Sequence, residues 1–168
     1  MKEIRLGNGQ TTKVDDCDFD LLSSMCWQKT GAYARSSRRF GSVAMHRLLL
    51  GAKAGVEVDH INRDRLDNQR SNLRLCTRGE NGRNCKKASG KSSPFKGVTH
   101  DTYKSASRRL PYRASISVDS QPVRIGNFRI ELHAAMAYDI WAREVHGEFA
   151  HTNFPASPLE TWSLPSSQ

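Results

Sequence analysis

The sequence predicts an α+β chain in two modules. The first is a strand–turn–strand–helix unit with flanking short strands, and the second is a three-stranded antiparallel sheet packed on one helix. Three observations predict this. Tyr112 to Val118 alternates, with Tyr112, Ala114, Ile116 and Val118 on one face and Arg113, Ser115 and Ser117 on the other, the period of a half-buried strand. Glu131 to His146 carries Ala134, Ala137, Tyr138, Trp141 and Val145 at helical spacing, with Gly147 placed to end the helix. Between the modules, residues 86–94 (Lys-Lys-Ala-Ser-Gly-Lys-Ser-Ser-Pro) are small, polar and basic, the composition of a flexible linker. The expected boundaries are 1–85, a linker at 86–94, a second domain at 95–155 and a tail at 156–168.

In chain order, residues 1–15 alternate weakly around Gly7-Asn8-Gly9, a hairpin signal. Asp16 or Asp18 is placed to cap a short helix carrying Leu21, Leu22, Met25 and Trp27 on its apolar face. The aspartates there lack the glycine and glutamate of a calcium loop and read as capping and solvated positions. Ala32 to Met45 reads as two strands around Ser36-Ser37-Arg38-Arg39, where Arg38 and Arg39 at a loop tip suit phosphate contact. His46 to Leu50 reads as a short helix ended by Gly51, with His46 structural or substrate-positioning. Leu73 to Cys76 reads as a strand, and Thr77-Arg78-Gly79-Glu80 fits a capping box that starts a helix near Arg78.

Past the linker, Phe95 to Val98 begins a strand and Val123 to Phe128 supplies another. Leu132, Met136 and Ile140 are expected to widen the apolar stripe of the last helix. The outer sheet face is then free, polar and basic. The tail is expected to be disordered or lightly docked through Trp162.

Net charge is +9, which points to an anionic partner. The excess is shared, with 15 basic and 10 acidic residues in 1–85 and 11 and 7 in 86–168. No apolar run approaches membrane-spanning length and Met1 to Arg5 lacks a signal-peptide core, so the expected setting is cytoplasmic, away from membranes. Cys17, Cys26, Cys76 and Cys85 form no Cys-x-x-Cys knuckle and are expected as reduced thiols rather than a zinc site.

The chemistry concentrates in Val58-Asp59-His60-Ile61-Asn62, followed by Asn72 twelve residues after His60 and Asn81 nine after that. A phosphodiester resists attack because it is anionic and its leaving alkoxide is poor, so hydrolysis needs a base for water and a cation for the leaving oxygen. His60 titrates near neutrality and can be that base. Asp59, pointing the other way on an extended segment, offers a hard oxygen ligand for magnesium. Asn81 can be a second oxygen ligand, and Asn72 can hold the imidazole in one tautomer and orientation.

These residues resemble the HNH, or ββα-metal, nucleases, most closely the homing endonucleases of phages, with the third letter asparagine here. Met45-His46-Arg47-Leu48 resembles the segment preceding the motif in that family. The resemblance implies that His60 is the general base, that Asn72 orients it, and that Asp59 and Asn81 bind one Mg2+ or Mn2+ per active site. The second half is similar to the APETALA/ethylene-response-factor DNA-binding domain, through Phe95-Lys96-Gly97-Val98, Tyr112 to Ile116, Ile125 to Phe128, Ala134 to Asp139 and Asn153-Phe154-Pro155. That likeness implies DNA contacts from Lys96, Thr99, Arg113, Ser115, Ser117 and Arg124, to which the basic Lys86 and Lys87 can add backbone contact. The expectation is a site-recognising endonuclease that nicks one strand of double-stranded DNA as a monomer, a dimer being needed for a double cut. The alternative is a sequence-specific regulator with an inactive nuclease module.

Overall fold

The structure is a computed structural model that describes residues 1–36, 41–85, 92–101 and 110–155. Arg38, Arg39, Lys86, Lys87 and the tail at 156–168 therefore lie outside the described residues. The chain divides into two compact units, Met1–Cys85 and Lys86–Gln168.

In the first unit, β1 (Lys2–Arg5) and β2 (Thr11–Val14) pair antiparallel across a turn in which Gly9 has φ 88°, a conformation that costs glycine little. Helix α1 (Asp16–Ser23) follows, and its N-cap, Asp15, makes no side-chain cap bond. The expected capping role gives way to another. Asp15 accepts from the Arg70 backbone N–H at 2.7 Å, and Asp18 takes the Arg70 guanidinium at 2.8 Å through both oxygens. Arg70 also donates to Leu49 O at 3.0 Å, so these acidic residues dock the segment that leads into the second strand of the site.

One expectation is corrected here. Trp27 opens β3 (Trp27–Thr30) instead of extending the helix, and its indole N–H donates to Leu22 O at 2.7 Å. The hairpin partner β4 (Tyr33–Ser36) returns around Gly31, φ 61°, while residues 37–40 of the expected turn lie outside the described residues. Glycine accepts the left-handed backbone that a short hairpin needs. Among the described residues, the expected pairing across that segment is represented by an isolated Arg35–Ala44 bridge and the Ser36 N–H to Val43 O bond.

Helix α2 (Met45–Leu49) ends before Gly51, φ 57°. Arg47 gathers the next loop by donating to Val56 O at 2.6 Å, Lys53 O at 2.8 Å and Ala52 O at 3.2 Å, which aims β5 (Glu57–His60). Strand β6 (Leu73–Cys76) pairs antiparallel with β5, with Asp59 opposite Arg74 and His60 opposite Leu73. Helix α3 (Arg78–Arg83) starts at the expected capping box: Thr77 accepts from Glu80 N, and Glu80 accepts from Thr77 N at 2.8 Å. A core of Leu6, Val14, Leu22, Trp27, Met45, Val58 and Leu73 lies beneath.

In the second unit, β7 (Val98–His100), β8 (Tyr112–Val118) and β9 (Gln121–Phe128) form an antiparallel sheet in that order. Strand β9 starts two residues earlier than expected because Asp119 (φ 49°) and Ser120 (φ 66°) make a two-residue turn. A bulge between Ala114 and Ser115 sets Ser115 opposite Arg124. Helix α4 (Glu131–His146) buries Ala134, Ala135, Tyr138 and Ala142, while Leu132 and Met136 are exposed at 46% and 39%. The stripe is therefore rotated from the expected one, and small alanines let the helix lie close to the sheet. Buried Asp139 accepts from Asn153 N at 2.8 Å and Phe154 N at 2.9 Å, and Asn153 bonds both backbone groups of Lys96. Ser93 is buried and Ser92 accepts from His100 N at 3.0 Å, so 92–94 belongs to this unit and not to a linker. No helix among the described residues is long and apolar enough to cross a membrane.

Candidate active site

Alternation along β5 sends consecutive side chains to opposite faces. Val58 and His60 face α2 and β4, while Glu57 and Asp59 face α3. The His60 ring is 4% exposed and stands 5.1 Å from the His46 ring, edge to face, with Tyr33 6.1 Å away. Burial pushes the His60 pKa down, against upward pulls from Asn68 and Asp59, so the ring is neutral at physiological pH. Arg65, on the exposed loop after the strand, lies 5.1 Å over the Tyr33 ring.

Asn72 does not reach the imidazole, which corrects the expectation. Its Oδ1 accepts from Asn62 N at 2.9 Å, its Nδ2 donates to Asp67 O at 2.8 Å, and its carbonyl accepts from Ile61 N at 2.9 Å. Asn72 thus braces the 61–67 loop. The imidazole partner is Asn68, whose Oδ1 is 3.3 Å from His60 Nε2.

On the other face, Asp59 is 5% exposed and Arg74 donates to its Oδ2 at 2.9 and 2.6 Å. Asn84, at the C-cap of α3, donates its amide to Asp59 Oδ1 at 2.9 Å and Oδ2 at 3.0 Å, and to His60 O at 3.0 Å. Asn81 instead donates to Glu57 at 2.5 Å. The structure therefore brings Asn84, and not Asn81, to the carboxylate. Its signal was present, since Asn81 and Asn84 stand three apart on one helical surface. Nothing in local spacing says which of the two meets Asp59.

A family model described as HNH endonuclease matches residues 44–83, the span from α2 to the end of α3. An uncharacterized HNH endonuclease of Acanthamoeba polyphaga mimivirus is 30% identical over 153 residues, covering 88% of this chain and 76% of the viral protein. The chain belongs to the HNH endonuclease family. No solved structure matches it significantly. HNH endonucleases generally use divalent metal ions, and the donor chemistry here suits one. Asp59 and the Asn84 amide carry hard oxygens, although here Asn84 turns its NH2 toward both Asp59 oxygens and Arg74 also takes Oδ2. Among the described residues no group of three or more His, Cys, Asp or Glu side chains is arranged to hold a metal. None of the four cysteines is in a disulfide among the described residues, and Cys76 is buried with its thiol pushed up to about 11, mainly by burial.

The remaining expected residues lie in the second unit. Thr99, Arg113, Ser117 and Arg124 are exposed, and Ser115 is half-buried. Thr99 lies directly opposite Arg113 in the sheet, and the bulge sets Arg124 opposite Ser115, so these residues share its outer face. Arg113 also pairs with Asp101 at 3.5 Å. Lys96 is half-buried, with its backbone held by Asn153.

Proposed function

We propose that this nuclease is a site-recognising, homing-type endonuclease that hydrolyses one phosphodiester of double-stranded DNA and so nicks the duplex as a monomer. The observation that carries this reading is the end of β5, where a buried imidazole and a buried carboxylate flank one strand end on opposite faces. His60 takes a proton from the attacking water. Arg65, close to the His60 and Tyr33 side, is available to hold a phosphate oxygen. Asp59 and Asn84 would hold one magnesium or manganese ion, with Asn81 fixing Glu57 beside them. The chemistry that such a cation supplies is neutralisation of charge on the departing oxygen. The outer sheet face of the second unit, with Arg113 and Arg124, holds the duplex site in the manner of APETALA-type domains, supported by its basic, exposed character.

A supercoiled-plasmid assay tests this, comparing wild type with His60→Ala in magnesium or EDTA. Open circles from wild type only, and only with metal, are expected, with DNA binding by His60→Ala unchanged in a gel shift. Cutting by His60→Ala at the wild-type rate would remove His60 as the base. A gel shift with no cutting by either protein would leave a DNA-binding protein without nuclease activity.

A further inference from the structure

Asn68 is 1% exposed and bridges two residues distant in the chain. Its Nδ2 donates to Thr12 Oγ1 at 2.8 Å, and its Oδ1 faces His60 Nε2 at 3.3 Å. Thr12, itself fully buried, donates its hydroxyl proton to Leu66 O at 2.7 Å. The backbone closes the arrangement, since Lys13 N donates to Leu66 O and Asn68 N donates to Lys13 O, both at 2.8 Å.

The direction of this chain of bonds follows from its far end. A backbone carbonyl can only accept, so the Thr12 hydroxyl proton is committed to Leu66 O. Thr12 Oγ1 must then accept, which turns the Asn68 NH2 toward it and leaves the Asn68 carbonyl oxygen facing the imidazole. An amide oxygen cannot donate, so His60 Nε2 must carry the proton. That leaves the lone pair on Nδ1, to which no group bonds among the described residues.

We propose that Asn68, oriented by Thr12, is the positioning residue that holds His60 in its Nε2–H tautomer and so makes Nδ1 the nitrogen that accepts the proton from water. The inference rests on the reading of His60 as the base and adds which of its atoms works and what selects it. Partners that fix the tautomer of metal-bound histidines are worth roughly 10- to 100-fold in metal affinity or activity when lost, and a similar scale is expected for a histidine base.

The test reads the tautomer directly. Nitrogen-15 NMR of the histidine rings in the full chain, without metal at about pH 8 where imidazoles are neutral, is expected to show His60 with a protonated Nε2 and a bare Nδ1. Thr12→Val frees the Asn68 amide to flip, and Asn68→Leu removes it. Both should give mixed tautomers, and Thr12→Ser should restore the wild-type spectrum. In single-turnover cutting, Asn68→Leu should be about 10- to 100-fold slower with DNA affinity unchanged, and Thr12→Ser should match wild type. A bare Nε2 in wild type overturns the proposal even if a variant fails to fold. An unchanged tautomer in a folded Asn68→Leu or Thr12→Val also overturns it. Wild-type cutting by His60→Ala would instead defeat the base assignment and leave the tautomer result standing.

Discussion

His46 and His60 show how little of a residue's role lies in its own letter. Both rings are buried and press against each other, and the Tyr33 ring lies tilted 4.8 Å from His46. Burial, then His60, Arg47 and Arg35, push the His46 pKa down to about 4. The unfolded chain binds a proton at His46 near pH 6.5, whereas the folded chain resists it until about 4. Stability of the first unit therefore falls as pH drops through that window, because the unfolded state binds more protons there. His60 acts in the same direction. Replacing His46 with Gln should flatten the loss, and thermal melts at about pH 7 and about pH 5 would measure it. An equal drop in melting temperature for both proteins would remove His46 as a source of the acid sensitivity. The Asp18–Arg70 pair works in a lower window. The arginine holds the Asp18 carboxyl below its ordinary 3.8, so its contribution is present above that value and is lost as pH falls through the depressed one.

At the scale of elements, α3 is a helix of six residues whose position matters more than its length. Its start is held by the Thr77–Glu80 box and its end presents Asn84 to Asp59. Thr77→Ala should cost about 1 kcal/mol in denaturant unfolding. It should also raise the metal concentration needed for half-maximal cutting, since the helix end would wander from the carboxylate. Loss of stability with an unchanged metal requirement would show that the cap does not place Asn84. Both the box and the β6 strand were legible in the sequence, because caps and period-2 patterns act over a few residues. The hairpin at Gly31 was not legible because its strands are four residues each, too short for alternation to stand out, and it is held by the packing of Trp27 and Ala34 in the core.

At the scale of the whole molecule, the two compact units predict separable behaviour. Gly97 has φ 76°, and a Cβ built there would overlap the Tyr138 ring. Gly97→Ala should thus lower the melting transition of the second unit and leave that of the first in place, as read by calorimetry. A common shift of one joint transition would show that the units unfold together. Net charge of +9 makes DNA affinity fall steeply with salt. Arg124→Ala should reduce the slope of log affinity against log salt by roughly one if that side chain meets a phosphate. An unchanged slope would take Arg124 off the DNA.

The sequence by itself determined the elements that carry the site and the chemical groups the site has to work with. The strand holding Asp59 and His60, the capped helix after it, and the alternating strand and amphipathic helix of the second unit are all written in short-range periodicities and caps. Only the tertiary structure decided which partners those groups meet. Thr12 lies 56 residues from Asn68, and Asn84 lies 25 from Asp59. Either asparagine of α3 satisfies the local pattern, and so do Asn68 and Asn72 as neighbours of His60. The choice depends on strand register, on the loop braced by Asn72 and on how β2 lies against residues 66–68. Contacts at such separations are set by the packing of the core, and no local pattern carries them.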